Sequence, residues 1–354
     1  MVALSGGVDS AAAAALLVEQ GYEVIGIMLR LWADDARGCA RENRCCSPEA
    51  VEDARRVCQV LNIPFYLLNA EQPFKGIVVD YFVAEYSQCR TPNPCIVCNL
   101  RVKFGYLLER ALSLEAQYLA TGHYARVDKH GETCRLLRGV DAQKDQSYVL
   151  YALGQEKLRR ALFPLGNLTK AEARAIAVSH DLPVAGKAES QEICFLPDGD
   201  YRQFLTRWAP LACRPGPIVD TAGRVVGQHR GLPFYTIGQR HGLRIANPEP
   251  LYVVAMNPGN NELVVGPVDE VWQGELMAGG VSWVSGKHPD TPARITAKTR
   301  YRSPESPATL FVLSGGQARV VFDQPQRAIT PGQAVVFYQG EEVLGGGTIE
   351  RAAA

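Results

Sequence analysis

Apolar and polar positions set two rhythms along the first half of the chain. A short apolar run, Met1 to Leu4, breaks at Gly6-Gly7 and gives way to the alanine-rich stretch Ala11 to Gln20, which predicts a strand, a tight turn and a helix. Gly21 is placed to end that helix, and the apolar, β-branched run Glu23 to Leu31 predicts a buried strand. Ala33 to Cys46 is polar and reads as a loop. Ser47-Pro48 then caps a helix reaching about Leu61, and Pro64 to Asn69 supplies another strand. Helical spacing returns over Phe74 to Ser87, and two prolines in Thr91-Pro92-Asn93-Pro94 interrupt it. Cys95 to Glu115 resumes it, with Leu100, Phe104, Leu107, Leu108 and Ala111 on one face, and Tyr118 to Thr121 is a short strand ending at Gly122-His123. Alternating strand and helix predict an α/β fold with a doubly wound parallel sheet.

Beyond this point the rhythm loosens. A short hairpin (Ala125 to Val127, Arg135 to Leu137) and a polar turn, Lys144 to Ser147, precede a capping box at Thr169 to Glu172 that opens a helix to about His180. From Pro215 onward, glycine and proline punctuate short β-rich runs: Leu251 to Met256, Glu262 to Val265, Ala293 to Thr299, Ala318 to Phe322 and Ala334 to Tyr338. At ~150 residues per domain the length calls for more than one core. We expect an α/β domain over residues 1–197, a small mixed β domain over 198–270 and a C-terminal β-barrel over 271–354.

Charge changes the picture only by exclusion. With 37 basic and 37 acidic side chains the net charge is zero, so an RNA partner would have to be met by local patches. No apolar run approaches the ~20 residues of a membrane span, and a polar loop, in place of a basic leader, precedes Ala11. A cytoplasmic protein is expected, with its ten cysteines mostly reduced.

Candidate chemistry starts at Ser5-Gly-Gly-Val-Asp-Ser10. Two glycines permit positive φ and close approach, while hydroxyls and a carboxylate gather at the same turn, so this loop is expected to hold a phosphate. It lacks the Walker lysine and is not G-x-G-x-x-G; it resembles the pyrophosphate-binding loop of ATPases that split ATP into AMP and pyrophosphate. The plain alternative is a surface turn whose serines cap a helix. Cys95 and Cys98 form a C-x-x-C pair near a helix N-terminus, where partial positive charge favours thiolates. No second pair completes a four-cysteine zinc site, and redox, sulfur-transfer and cluster roles stay open. Cys194 alone reads as a core thiol. Cys39, Cys45, Cys46, Cys58, Cys89, Cys134 and Cys213 are assigned no metal. His123, just past a strand end, is either a ligand-contacting or a structural histidine. Lys144 and the run Arg294, Lys298, Arg300 and Arg302 with Tyr301 offer phosphate contacts and base stacking, or an ordinary solvated strand face. Gly345 to Gly347 reads as turn chemistry closing a barrel.

Taken together, SGGVDS (Ser5 to Ser10), TPNPCIVCN (Thr91 to Asn99), KF (Lys103-Phe104), ATGHYA (Ala120 to Ala125), KDQSY (Lys144 to Tyr148), SQEICF (Ser190 to Phe195), TIGQR (Thr236 to Arg240), RYRSP (Arg300 to Pro304) and TPGQAVVFY (Thr330 to Tyr338) resemble the bacterial-type tRNA-specific 2-thiouridylases along essentially the whole chain. The resemblance implies a pyrophosphatase-loop domain, a small central domain and a β-barrel. It implies ATP, with Mg²⁺, bound by Ala3, Leu4, Ser5, Gly6, Gly7, Val8, Asp9, Ser10, Met28 and Gly122. Cys98 is then the nucleophile and Cys194 the persulfide carrier. Asn93, Pro94 and Cys95 face the target base, and His123, Lys144, Asp145, Gln146, Tyr301, Arg302 and Gln333 contact tRNA. The partners implied are tRNAs accepting lysine, glutamate and glutamine, and a cysteine desulfurase or sulfur-relay protein as donor. Two positions depart from the family pattern. Some members carry Asp where this chain has Cys95, and Cys89 stands where Gly is expected. With Cys95, Cys98 and Cys194 all thiols, an iron–sulfur cluster with one open iron is an alternative route for the same reaction. A different alternative is another ATP pyrophosphatase acting on a small molecule, with no dependence on Cys98 or Cys194. A purely RNA-binding or iron–sulfur protein with a degenerate loop would release no pyrophosphate.

Overall fold

The computed structural model describes residues 1–34, 47–131, 133–188, 193–196 and 199–352. Cys39, Cys45, Cys46, Ser190 to Glu192 and Pro197 lie outside the described residues. The first sheet uses β1 (Val2–Leu4), β2 (Gly26–Arg30), β3 (Phe65–Asn69), β4 (Leu119–Thr121) and, after a hairpin of β5 (Ala125–His130) and β6 (Thr133–Arg138), β7 (Ala161–Leu162). Its order is β3-β2-β1-β4-β7, every neighbour parallel. Strand order reverses between β1 and β4, and the carboxyl ends on either side of such a reversal form the crevice where α/β sheets bind ligands. Helix α1 (Val8–Glu19) leaves β1 at that point. Its five consecutive alanines, Ala11 to Ala15, are all buried, since small side chains let the helix lie close both to the sheet and to Lys170–Ser179 through Ala173 and Ala177. Helix α2 (Pro48–Val60) begins as expected, with the Ser47 hydroxyl accepting from the Ala50 N–H at 3.2 Å.

The helix after the two prolines departs from its expected form. It starts at Pro94, ends at Ser113, and is π-helical over Cys98–Leu107, with Phe104 at φ −93°, ψ 17°. The wide turns begin at Cys98, and the Lys157 ammonium donates to the Leu100 carbonyl at 2.7 Å within them. Its expected apolar face is buried at Phe104, Leu107, Leu108 and Ala111.

A second sheet, of β8 (Gly216–Asp220), β9 (Val225–His229), β10 (Tyr252–Asn257) and β11 (Glu262–Gly266), runs in the order β10-β11-β8-β9 around Ile218, Val253, Leu263 and Val265. Six more strands, β12 (Trp272–Trp283), β13 (Ala293–Lys298), β14 (Ser306–Leu313), β15 (Gln317–Arg327), β16 (Ala334–Gln339) and β17 (Glu342–Ala352), close into a barrel through the β12–β17 pairing. Gly345 to Gly347 do not form a turn. They lie inside β17, where a Cβ would come within 2.1 Å of Ser282 O, 2.5 Å of Val335 O and 2.9 Å of Gly279 O respectively; glycine lets the strand pass between its neighbours at the closure.

Strand β6 pairs with β17 at Leu137–Glu342 and Leu136–Val343, so the hairpin counted with the α/β domain extends the barrel's sheet. This explains the unbroken apolar run of β16. Val335 and Phe337 fill the barrel core, whereas Ala334, Val336 and Tyr338 join Leu136, Tyr148 and Leu150 in a cluster shared with the first domain. A period of two, buried on both faces, yields a continuous hydrophobic segment.

Candidate active site

Gly6 carries φ +67°, and a Cβ there would lie 2.5 Å from the Ala50 carbonyl oxygen, so the turn after β1 needs glycine both for its dihedral and for its approach to α2. Gly7, in extended conformation, is the N-cap of α1 and supplies no side-chain cap, and Asp9 stands in the first turn of the helix. The Ser10 hydroxyl donates to the Gly7 carbonyl at 3.0 Å and lies 3.2 Å from both the N–H and the Oγ of Ser5, holding the loop in a ring. Gly122, at the end of β4, abuts it: a Cβ there would sit 2.8 Å from Asp9 C and Ser10 N. Ala3, Leu4 and Val8 form the strand and helix flanking the loop, and Met28, paired in register with Leu4, has its side chain buried beneath the sheet.

Sequence reasoning overlooked three groups here. The Asp9 Oδ1 accepts from the Tyr124 hydroxyl at 2.7 Å and from the Lys170 ammonium at 2.6 Å. Lys187 Nζ donates to the Gly6 carbonyl at 2.9 Å and to Asp53 Oδ2 at 2.7 Å. A signal existed for Lys170: a cation in the first turn of a helix opposes the helix dipole, so its charge should be satisfied elsewhere. Tyr124 and Lys187 carry no comparable mark.

The cysteines lie at the same end of the sheet. Cys98 and Cys194 both border one aromatic cluster, Phe74, Phe82, Tyr86, Phe195 and Phe204, which also receives Leu29, Leu31 and Trp32 from the end of β2. Cys194 follows Lys187 by seven residues, so its Cα stays within about 25 Å of a residue tied to the phosphate loop. Cys95 is exposed. Asn93 Oδ1 accepts from the Cys95 N–H at 3.2 Å and Pro94 takes the first helical position, so both shape the start of the cysteine helix. Among the described residues, no group of three or more His, Cys, Asp or Glu side chains is arranged to hold a metal ion.

The barrel reaches this region by its Thr330-Pro-Gly-Gln333 turn. Thr91 N–H donates to the Pro331 carbonyl at 2.9 Å, and Gln333 Nε2 donates to the Thr91 carbonyl at 3.0 Å. Tyr301, in the turn after β13, rests 5.9 Å from the Tyr148 ring, and burial pushes its phenol up. Arg302 is exposed beside it. Arg300 is not available to phosphate: it donates to Ala328 O at 2.7 Å and Thr330 Oγ1 at 2.8 Å. Arg294 is likewise held by Asp323, at 2.8 and 2.6 Å. His123 is buried, with Nδ1 2.7 Å from Thr121 Oγ1 and Nε2 3.5 Å from Lys103 Nζ; burial, then Lys103, holds it well below the usual histidine range and hence neutral. Lys144, Asp145 and Gln146 are partly exposed on one loop. Asp145 accepts from Gly139 N, Ser147 N and Ser147 Oγ, and Gln146 Oε1 accepts from Tyr124 N at 3.0 Å.

Cys89 occupies the left-handed region at φ +59°, which is the physical reason for expecting glycine there. Its thiol borders the core of the second sheet, and burial pushes it up to about 11.

Residues 1–198 match the family model described as tRNA methyl transferase HUP domain, 202–267 the tRNA methyl transferase PRC-barrel domain and 273–349 the Aminomethyltransferase beta-barrel domain. The tRNA-specific 2-thiouridylase MnmA of Moorella thermoacetica is 55% identical over 355 residues, covering 100% of this chain and 99% of its own. That of Symbiobacterium thermophilum is 51% identical over 358 residues, covering 99% and 92%. Among solved structures, the U34-tRNA thiolase NcsA from Methanococcus maripaludis with its 4Fe-4S cluster aligns over 59% of this chain and 65% of its own, at 19% identity and a TM-score of 0.33, a likeness too distant to bear on the chemistry here.

Proposed function

Because this chain belongs to the tRNA-specific 2-thiouridylase family, we propose that it is an ATP-dependent sulfurtransferase that replaces the C2 oxygen of the wobble uridine of tRNA with sulfur. The observation that carries the reading is the placement of a phosphate-shaped loop and two cysteines at one end of a parallel sheet, the cysteines bordering a single aromatic cluster.

A carbonyl oxygen is a poor leaving group, so the uridine O2 first attacks the α-phosphate of ATP and pyrophosphate departs. The Ser5 to Ser10 turn, at the start of α1, holds the phosphates, and Gly122 keeps the opposite wall thin. Asp9, the carboxylate of that loop, is the group suited to Mg²⁺, which would supply charge neutralisation of the phosphates. A persulfide on Cys194, loaded by a desulfurase or relay protein, supplies the sulfur. Its terminal sulfur attacks C2 with AMP leaving, and the Cys98 thiolate then displaces it by attacking the Cys194 sulfur. Alternatively, Cys98 attacks first and liberates hydrosulfide, which attacks C2. In both orders one S–S bond replaces another, and a thiol reductant reopens the Cys98–Cys194 disulfide. Methyl transfer, suggested by the wording of the family models, would use neither the ATP-splitting loop nor the two cysteines.

The tRNA-facing surface is proposed to include Asn93 to Cys95, Lys144 to Gln146, Tyr301, Arg302 and Gln333, with lysine, glutamate and glutamine acceptors as substrates; His123, expected to contact tRNA, is buried against Thr121 and Lys103 and is left out of that surface. Incubation with ATP, a persulfide donor and unmodified tRNA, followed by nucleoside mass spectrometry, should yield 2-thiouridine and AMP. Thiolation that persists in both Cys98→Ser and Cys194→Ser would overturn the assigned roles.

A further inference from the structure

Two loops with separate duties in the proposed reaction are joined by a continuous set of hydrogen bonds through one side chain. Tyr124 is buried, with its ring in the cluster of Ala12, Ala13, Leu165 and Ala173 behind α1. Its main chain is grasped at both ends by Gln146: Tyr124 N–H donates to Gln146 Oε1 at 3.0 Å, and Gln146 N–H donates to the Tyr124 carbonyl at 2.9 Å. The opposite end of the residue, its hydroxyl, donates to Asp9 Oδ1 at 2.7 Å in the phosphate loop. Slack is removed on both sides. Gly139 lies so close under Tyr124 that a Cβ would be 2.8 Å from its carbonyl oxygen, and Asp145 anchors Gly139 through its N–H at 3.0 Å. Lys170 fixes the same Asp9 oxygen from the far side at 2.6 Å.

We propose that Tyr124 is a positioning residue that couples occupancy of the 144–146 loop by tRNA to the orientation of Asp9, and so to the binding of ATP. The coupling rests on the sulfurtransferase reading given above. A displacement of Gln146 on meeting RNA moves both main-chain partners of Tyr124 together, and the phenol, being rigid, carries the shift to the carboxylate. Asp9 would then hold its second oxygen toward the bound nucleotide in the orientation that the RNA-loaded state sets. By reciprocity, ATP must tighten tRNA by the same factor as tRNA tightens ATP. Such a device restricts adenylation to the loaded enzyme and limits idle ATP cleavage.

The test measures the affinity of the full-length protein for a non-hydrolysable ATP analogue with Mg²⁺, in the absence and presence of saturating unmodified tRNA transcript. The wild type should bind the analogue at least ~5-fold more tightly with tRNA present. Tyr124→Phe keeps the ring in its cluster and deletes only the hydroxyl, and should bring the ratio near one. Gln146→Met deletes the Oε1 acceptor and keeps the main-chain bond to the Tyr124 carbonyl, so it should lower the ratio part of the way even if tRNA itself binds less well, because the ratio at saturation is read. A purely structural role for the phenol would lower both affinities and leave the ratio intact. An unchanged ratio in the two variants overturns the inference, as does a wild-type ratio of one with both ligands bound. Failure of the analogue or the tRNA to bind the wild type at all overturns the sulfurtransferase reading instead.

Discussion

Gly122→Ala is the smallest change that should disable ATP use without touching a polar group. The added methyl would stand 2.8 Å from Asp9 C and Ser10 N and 3.0 Å from Asp9 O, all main-chain atoms that cannot rotate away. Ordinary carbon contacts begin near 3.4 Å, so the end of β4 and the start of α1 must separate by roughly 0.6 Å. Such overpacking costs about 1–3 kcal/mol. At 2–4 °C per kcal/mol that is a fall in Tm on the order of 2–12 °C. The functional loss should be larger, because the displaced atoms are the ones that hold phosphate, and a misplacement approaching 1 Å costs up to ~100-fold in rate. Pyrophosphate release at varied ATP, with tRNA and sulfur donor saturating, should show KM raised and kcat lowered. Gly76→Ala is the control, since nothing lies within 4 Å of a Cβ there. An ATP KM within twofold of wild type in Gly122→Ala would refute the packing argument.

Lys170→Met removes one of two donors to Asp9 Oδ1 and should raise the ATP KM by about tenfold, as expected for a hydrogen bond to a charged group, with tRNA affinity unchanged in filter binding. Cys89→Gly should leave the stability within about 1 kcal/mol of wild type, since relief of the left-handed backbone offsets lost packing; Cys89→Val, which adds a β-branch at φ +59°, should be clearly destabilised in thermal melts. Stability should fall on acidification. Folded His123 and His229 stay neutral below the 6.5 at which the unfolded imidazoles take up protons, so as pH falls below 6.5 each histidine costs up to ~1.4 kcal/mol per pH unit until its folded-state value is reached. His123→Gln should flatten the Tm profile between about pH 6.5 and 5.5, and an unaltered profile would count against the buried neutral assignment.

What was legible in the chain was local. Period, caps and turn residues located most strands and helices of the first domain, including the Ser47 cap and the Thr169–Glu172 capping box, because each signal acts within one turn of chain; the two-residue edge strand β7 is too short to carry a period and was missed. Long-range pairing was not. Nothing near Leu136 announces Val343 as its strand partner, so the hairpin was counted with the α/β domain alone. The apolar run of β16 revealed burial on two faces but not that the faces belong to different cores. Gly345 to Gly347 looked like a turn because glycine marks both turns and crowded crossings, and only the neighbouring strands distinguish them. In the site, the loop and the cysteines were readable as motifs. Tyr124 and Lys170 act across 115 and 161 residues of sequence and became visible only when the carboxylate they share was placed. The basic run lost Arg294 and Arg300 to intramolecular partners that spacing could not foresee.

The central claim is that ATP cleaved at the Ser5 to Ser10 loop activates the oxygen that sulfur replaces. The direct measurement uses tRNA carrying ¹⁸O at C2 of the wobble uridine, with ATP and a persulfide donor, and mass analysis of the nucleotide product. The label should appear in the phosphate of AMP in a one-to-one ratio with 2-thiouridine. Label found in water or free phosphate, or ADP formed in place of AMP, would contradict it.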